Sequence, residues 1–223
     1  QQSGTSLGWP RVAAAPNGSF GVAWGGTDSD SGGIMYRMFG SDGQPVSDQG
    51  IANVFTVGGQ SFPGIAALND NRMAIVWSSA NQDGDGTGIF GRIFNVDGSP
   101  ATEEFGVNSA TVNHQNYPAI SSGAESGNYV VVWETKNALG GALYNLAGMK
   151  LLEFNPASGQ SGQTKIRPSV SMFADGSFVV AWQWMSTVKN DQYDIVMRTF
   201  DSSGLPTSAP TVVNTYKLNH QEY

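Results

Sequence analysis

The feature that most constrains this chain is a motif that occurs four times: a proline, a turn, and a tryptophan closing an apolar run. The copies are Pro10 to Trp24 (PRVAAAPNGSFGVAW), Pro63 to Trp77 (PGIAALNDNRMAIVW), Pro118 to Trp133 (PAISSGAESGNYVVVW) and Pro168 to Trp182 (PSVSMFADGSFVVAW). Downstream of each Trp comes a segment of variable length, then an aromatic four residues before a glycine, in the pairs Phe39/Gly43, Phe94/Gly98, Tyr144/Gly148 and Phe200/Gly204. Fixed spacings broken by one variable segment mark a repeat whose insertions fall on a surface connection. The units run over about 10–62, 63–117, 118–167 and 168–223, with 1–9 as a surplus segment in the phase of 54–62, all within a single repeat domain over 1–223.

Inside each unit, short apolar or alternating runs are separated by turn residues, which is the pattern of strands and hairpins. The turns at 16–19 (PNGS), 125–128 (ESGN) and 174–177 (ADGS) supply positive φ through Gly, Asn and Asp. A third strand is predicted over 34–39, 89–94 and 194–200, and a second turn leads to a fourth, more polar strand. The expected fold is therefore all-β: four repeats of a four-stranded antiparallel meander of about 50 residues, propeller-like. A lone four-stranded sheet cannot bury both faces, so the sheets must stack, with Trp24, Trp77, Trp133 and Trp182 expected between neighbours.

Smaller echoes follow the same register. Gln60, Gln115 and Gln221 stand three before the proline position, Asn53, Asn108 and Asn214 ten before it, and Arg37, Arg92 and Arg198 two before the aromatic. Unit three departs at each, with Lys165, Ser158 and Ala142. Trp9, Phe62, Tyr117 and Tyr223 share an aromatic place just before the proline position.

The succession of Pro, small apolar residues, a DG turn, FVVAW, an Asp/Gly-rich loop, GIFGRIF, a second DG turn and a polar strand ending in EFGVN resembles the propeller-type repeats of large secreted and cell-surface proteins. It is also similar in outline to sialidase-like blades, although the Asp-box signature of those enzymes is not matched. The resemblance covers roughly residues 10 to 223 and is best in units two and four. It implies an extracellular or cell-surface setting, adhesion or glycan binding, and often calcium.

Composition removes several alternatives. With no Cys there is no disulfide scaffold and no thiolate chemistry. Eleven Lys plus Arg against eighteen Asp plus Glu, for a formal charge of −7, leave no basic stripe for nucleic acid. No apolar run approaches the roughly 18 residues needed for membrane insertion. Only 13% of residues are charged, a habit of secreted repeat proteins.

The loops after Trp are rich in acids: Asp28 and Asp30, Asp83 and Asp85, and Asp191 and Asp194. Acids alternating with Gly can wrap oxygens around calcium, with Asp83 and Asp85 the best placed, or can cap the backbone of an exposed turn. His114 and His220 occupy one repeated position, which suits a turn or strand end better than catalysis. Glu134 replaces the Gly25, Ser78 and Gln183 of its sister units, and is the one acid in a special place for glycosidic chemistry. Trp184, unique to its unit, is the candidate carbohydrate-stacking platform, and Asn17 heads the Asn17-Gly18-Ser19 glycosylation sequon.

These features suggest a non-enzymatic structural or adhesive repeat protein whose partners are glycans or copies of itself. The surplus segment 1–9 fits either a compact four-bladed ring or head-to-tail self-association into a filament or array. A carbohydrate-binding, lectin-like propeller is the alternative, and a glycoside hydrolase-like propeller the third possibility.

Overall fold

The computed structural model describes residues 8–160, 164–185 and 193–215. The first sheet is β1 (Gly8–Ala14), β2 (Phe20–Gly26), β3 (Gly33–Phe39) and β4 (Gly50–Ile51), and the second is β5 (Gln60–Ala67), β6 (Met73–Ala80), β7 (Thr87–Phe94) and β8 (Phe105–Gly106). The third is β9 (Asn116–Ser122), β10 (Asn128–Thr135), β11 (Ala138–Asn145) and β12 (Lys150–Phe154), and the fourth is β13 (Thr164–Met172), β14 (Phe178–Met185), β15 (Tyr193–Phe200) and β16 (Thr211–Val212). Each is an antiparallel meander in sequence order. The propeller-type all-β fold expected from the repeat is the fold observed.

The second strands of the two middle sheets are apolar at successive positions because they are covered on both faces. In β10, Val130 and Val132 face the fourth sheet while Tyr129, Val131 and Trp133 face the second. The result is three separate cores, one between each consecutive pair of sheets. Hydrogen bonds cross the same interfaces: the Tyr36 hydroxyl donates to the Gly98 carbonyl at 2.7 Å, and the Tyr144 hydroxyl to the Val107 carbonyl at 3.1 Å. Gly21 is required where the first two sheets meet, since a Cβ there would come within 2.9 Å of Ile65.

One expectation needs correction. Trp77, Trp133 and Trp182 are sandwiched and fully buried, but Trp24 is only half-buried. It lies on the face of the first sheet turned away from the second. Among the described residues no fourth core joins that face to the fourth sheet. The arrangement is an open arc of four blades rather than a closed ring of four.

The repeated prolines have a physical role. In every sheet the inner strand bulges at the residue–proline pair, so that two residues stand opposite the repeated tryptophan. Proline lacks an N–H, so it sits at a bulge without wasting a ladder hydrogen bond. The repeated arginines are structural too. The Nε groups of Arg37, Arg92 and Arg198 donate to the carbonyls of Ser47, Thr102 and Ser208 at 3.1, 3.0 and 2.9 Å, tying down the outer segment of their units. Each guanidinium also lies 5.7 to 5.9 Å from the ring of the aromatic two residues on.

The packing difference sets an order of stabilities. Trp77→Ala, emptying a sandwiched position, should cost about 3–5 kcal/mol. Trp24→Ala, at a half-buried one, should cost about 1–2 kcal/mol. Urea denaturation of the two variants checks this, and equal losses would mean that Trp24 is covered as fully as Trp77.

Candidate functional site

The inner strands β1, β5, β9 and β13 surround an axial cavity of about 450 Å³ lined by Arg11, Ile65, Ile120 and Val170 among others. At one end of it the bulges place Trp9, Phe62, Tyr117 and Arg167 in corresponding positions, with φ of 52°, 54°, 51° and 51°. Bulky residues at positive φ are rare, and a residue before proline is normally extended, so the same costly backbone geometry has been built four times around one axis. The side chains form a continuous series. Trp9 and Phe62 have ring centroids 4.7 Å apart, Phe62 and Tyr117 4.2 Å, and the Arg167 guanidinium lies 5.6 Å from the Tyr117 ring. Trp9 is 48% exposed. Sequence reasoning recorded the aromatic place before the proline only as a marker of phase. The signal was present in Trp9, Phe62 and Tyr117, but the bulge that gathers them around the axis was not legible.

The acid-rich loops flank the same end. Gln60 opens β5, and its N–H donates to the Gly32 carbonyl of the first such loop at 2.9 Å; the Gln115 N–H donates likewise to the Thr87 carbonyl at 2.7 Å. The acids are held in a recurring latch. Asn53 Oδ1 accepts the Ile34 N–H at 2.8 Å, while its Nδ2 donates to Asp28 at 2.8 Å and to Gln60 Oε1 at 3.3 Å. Asn108 does the same with Ile89 at 2.6 Å, Asp83 at 3.2 Å and Gln115 at 3.2 Å. Asn214 accepts from Ile195 at 2.8 Å and donates to Asp194 at 3.0 Å. Two residues further on, Asp30 accepts the Gly58 N–H and Asp85 the Asn113 N–H, both at 3.0 Å. Asp83 Oδ1 is buried and has no hydrogen-bond partner. Among the described residues no cluster of three or more His, Cys, Asp or Glu is placed to hold a metal ion. Asp191 and His220 lie outside the described residues; His114 is exposed, with Nδ1 3.3 Å from the Thr87 hydroxyl.

The residues that break the repeat collect on the third and fourth sheets beside the aromatic series. Glu134, at the end of β10, points toward the fourth sheet and accepts a short hydrogen bond from the Arg167 N–H. Burial raises its pKa, opposed by that hydrogen bond and by the Arg167 charge. Trp184, from β14, is half-buried and packs against the core between these two sheets rather than standing free. Lys165, its partner across the strand pair, is buried at the place that Gln60 and Gln115 hold three residues before the proline, and desolvation lowers its pKa. Asn17 is exposed on the turn that follows β1, at the other end of the inner strand.

No protein-family model matches the sequence, and no curated protein does. Solved structures match its fold. An exo-1,5-α-L-arabinanase from a bovine ruminal metagenomic library superposes with a TM-score of 0.55 at 14% identity, covering 95% of this chain and 79% of the other. A thermostable family-43 glycoside hydrolase gives 0.53 at 12%, covering 97% and 78%. The β-propeller domain of the Trilobed protease from Pyrococcus furiosus, described as having an open velcro topology, gives 0.52 at 8%, covering 95% and 57%. No helix among the described residues is long and apolar enough to cross a membrane.

The expectation that the chain is not an enzyme is overturned by this finding, because glycoside hydrolases recur among the structures that share its fold.

Two measurements test this description of the site. Asn108→Ala leaves the Ile89 N–H and Asp83 without their partner and should cost about 1–3 kcal/mol, whereas Ser158→Ala, at the position where the latch is missing, should cost little. For Glu134 the folded state keeps its proton to higher pH than the unfolded chain does, so stability falls as pH rises above the ordinary carboxylate range through the raised pKa. Glu134→Gln should remove that part of the pH dependence; unchanged melting-temperature profiles would rule out a raised pKa. The sequence and the superpositions together establish a β-propeller-type fold of four blades.

Proposed function

We propose that this protein binds oligosaccharides at the aromatic end of its axial cavity. The observation that carries the reading is the series Trp9, Phe62, Tyr117 and Arg167, held in the same unfavourable backbone geometry at one end of the axis on which the four inner strands converge. A concave site lined by aromatic faces with a few directed polar groups suits the apolar faces and hydroxyl edges of sugar rings. Among the described residues Arg11 and Arg167 line the cavity and no carboxylate does, which favours sugars carrying an acidic group over neutral ones.

Glu134 favours hydrolysis as a second reading. A carboxyl group whose pKa burial raises, beside the cavity mouth, is the kind of group that protonates a leaving glycosidic oxygen. The usual scheme requires a second carboxyl group, and the described residues lining the cavity supply none. Binding is therefore the primary reading.

Calorimetric titration with neutral and uronic-acid oligosaccharides tests it. Phe62→Ala and Tyr117→Ala should each weaken binding about tenfold, from the loss of roughly 1.5 kcal/mol of aromatic contact. Binding that persists in the double variant would exclude the mouth as the site. If chromogenic glycosides are turned over, Glu134→Gln should abolish turnover and leave binding in place, and full activity in that variant would remove Glu134 as the proton donor.

A further inference from the structure

The ends of the arc are the largest unexplained surface. On the first sheet, the face turned away from the second carries Val12, 67% exposed, together with half-buried Phe20, Val22 and Trp24. Their counterparts in the second sheet, Ile65, Met73, Ile75 and Trp77, are buried against the sheet before them. On the fourth sheet, the face turned away from the third carries Phe173 at 57% and Val213 at 52% exposure, beside Val179 and Ala181. The counterparts of Phe173 in the first two sheets, Ala15 and Leu68, are buried, as are those of Val213 in all three other sheets, Ala52, Val107 and Ala157. Each bare face thus repeats, position by position, a face that is covered at the internal interfaces.

We propose that these two faces together receive one further four-stranded sheet of the same repeat, apolar on both sides. Continuity with the three internal interfaces dictates the chemistry of the occupant: one side must present residues like Ala23, Tyr36 and Met38, which cover the second sheet, and the other residues like Phe178, Val180 and Trp182, which cover the third. Continuity with the cavity dictates its place. Arg11 of the first sheet and Arg167 and Val170 of the fourth line the same axial cavity, so both bare faces flank one opening. In the two glycoside hydrolases superposed above the matched part is 78–79% of the chain, which leaves about one unit.

The absence of cysteine allows a direct test. Val12→Cys and Val213→Cys each introduce a single reporter thiol on one bare face. In the 223-residue chain both should react with a maleimide at the rate of an exposed thiol. In a chain extended by a second copy of residues 63–117 after Tyr223, both should be protected at least tenfold, and the melting temperature should rise. Adding Val22→Lys to the extended chain should restore labelling at Val12→Cys. Unchanged labelling in the extended chain overturns the proposal. So does a concentration-dependent dimer of the 223-residue chain, detected by sedimentation velocity and abolished by Val213→Asp, since the occupant would then be a second copy.

Discussion

Everything in this structure depends on one constraint: a sheet whose two faces are both apolar is stable only with a neighbour on each side. The second strands of the two middle sheets alternate between the two neighbouring cores, so these blades contribute to the interface before them and the interface after them. Burial at the three interfaces, rather than hydrogen bonding within a sheet, therefore decides which parts are firm. The second and third sheets are covered twice, the first and fourth once. The half-buried state of Trp24 and the exposure of Val12, Phe173 and Val213 are the direct consequence.

The same stacking creates the site. Inner strands of stacked meanders converge on one axis, and a bulge repeated in each of them points the preceding side chain at the end of that axis. The backbone cost of positive φ at Trp9, Phe62, Tyr117 and Arg167 is borne four times, and the tilted ring contacts partly offset it. Against this regular frame the departures of unit three gain meaning. Where the other units place small or neutral residues, Glu134 brings a carboxyl group to the fourth sheet, and Lys165 brings a buried amine into the following strand.

Much of the fold was legible because its determinants are local and repeated. Four prolines, four tryptophans and the glycine turns specify strand number, strand order and turn position without any knowledge of distant contacts. The echoes at Asn53, Asn108 and Arg37 were visible too, and the structure supplies their cause in the latch and the arginine tie. What the sequence could not show was global. Whether the arc closes depends on the curvature accumulated over all four blades, which no single unit encodes, so Trp24 looked equivalent to its three sisters. The axial aromatic series was hidden for a similar reason: its members are 50 or more residues apart and meet only because each inner strand bulges at the same step. Glu134 stood out by breaking the repeat, but its partner Arg167 did not. The enzyme-like company of the fold entered the sequence reading only as its third possibility, since identities of 8–15% leave no motif to follow.

Residue-resolved hydrogen exchange measures the uneven coverage of the blades most directly. The account predicts the slowest exchange in β6 and β10, each packed between two sheets, with β2 and β14 distinctly faster and β1 faster still. Uniform protection across the four second strands, or greater protection of β2 and β14 than of β6 and β10, would contradict it.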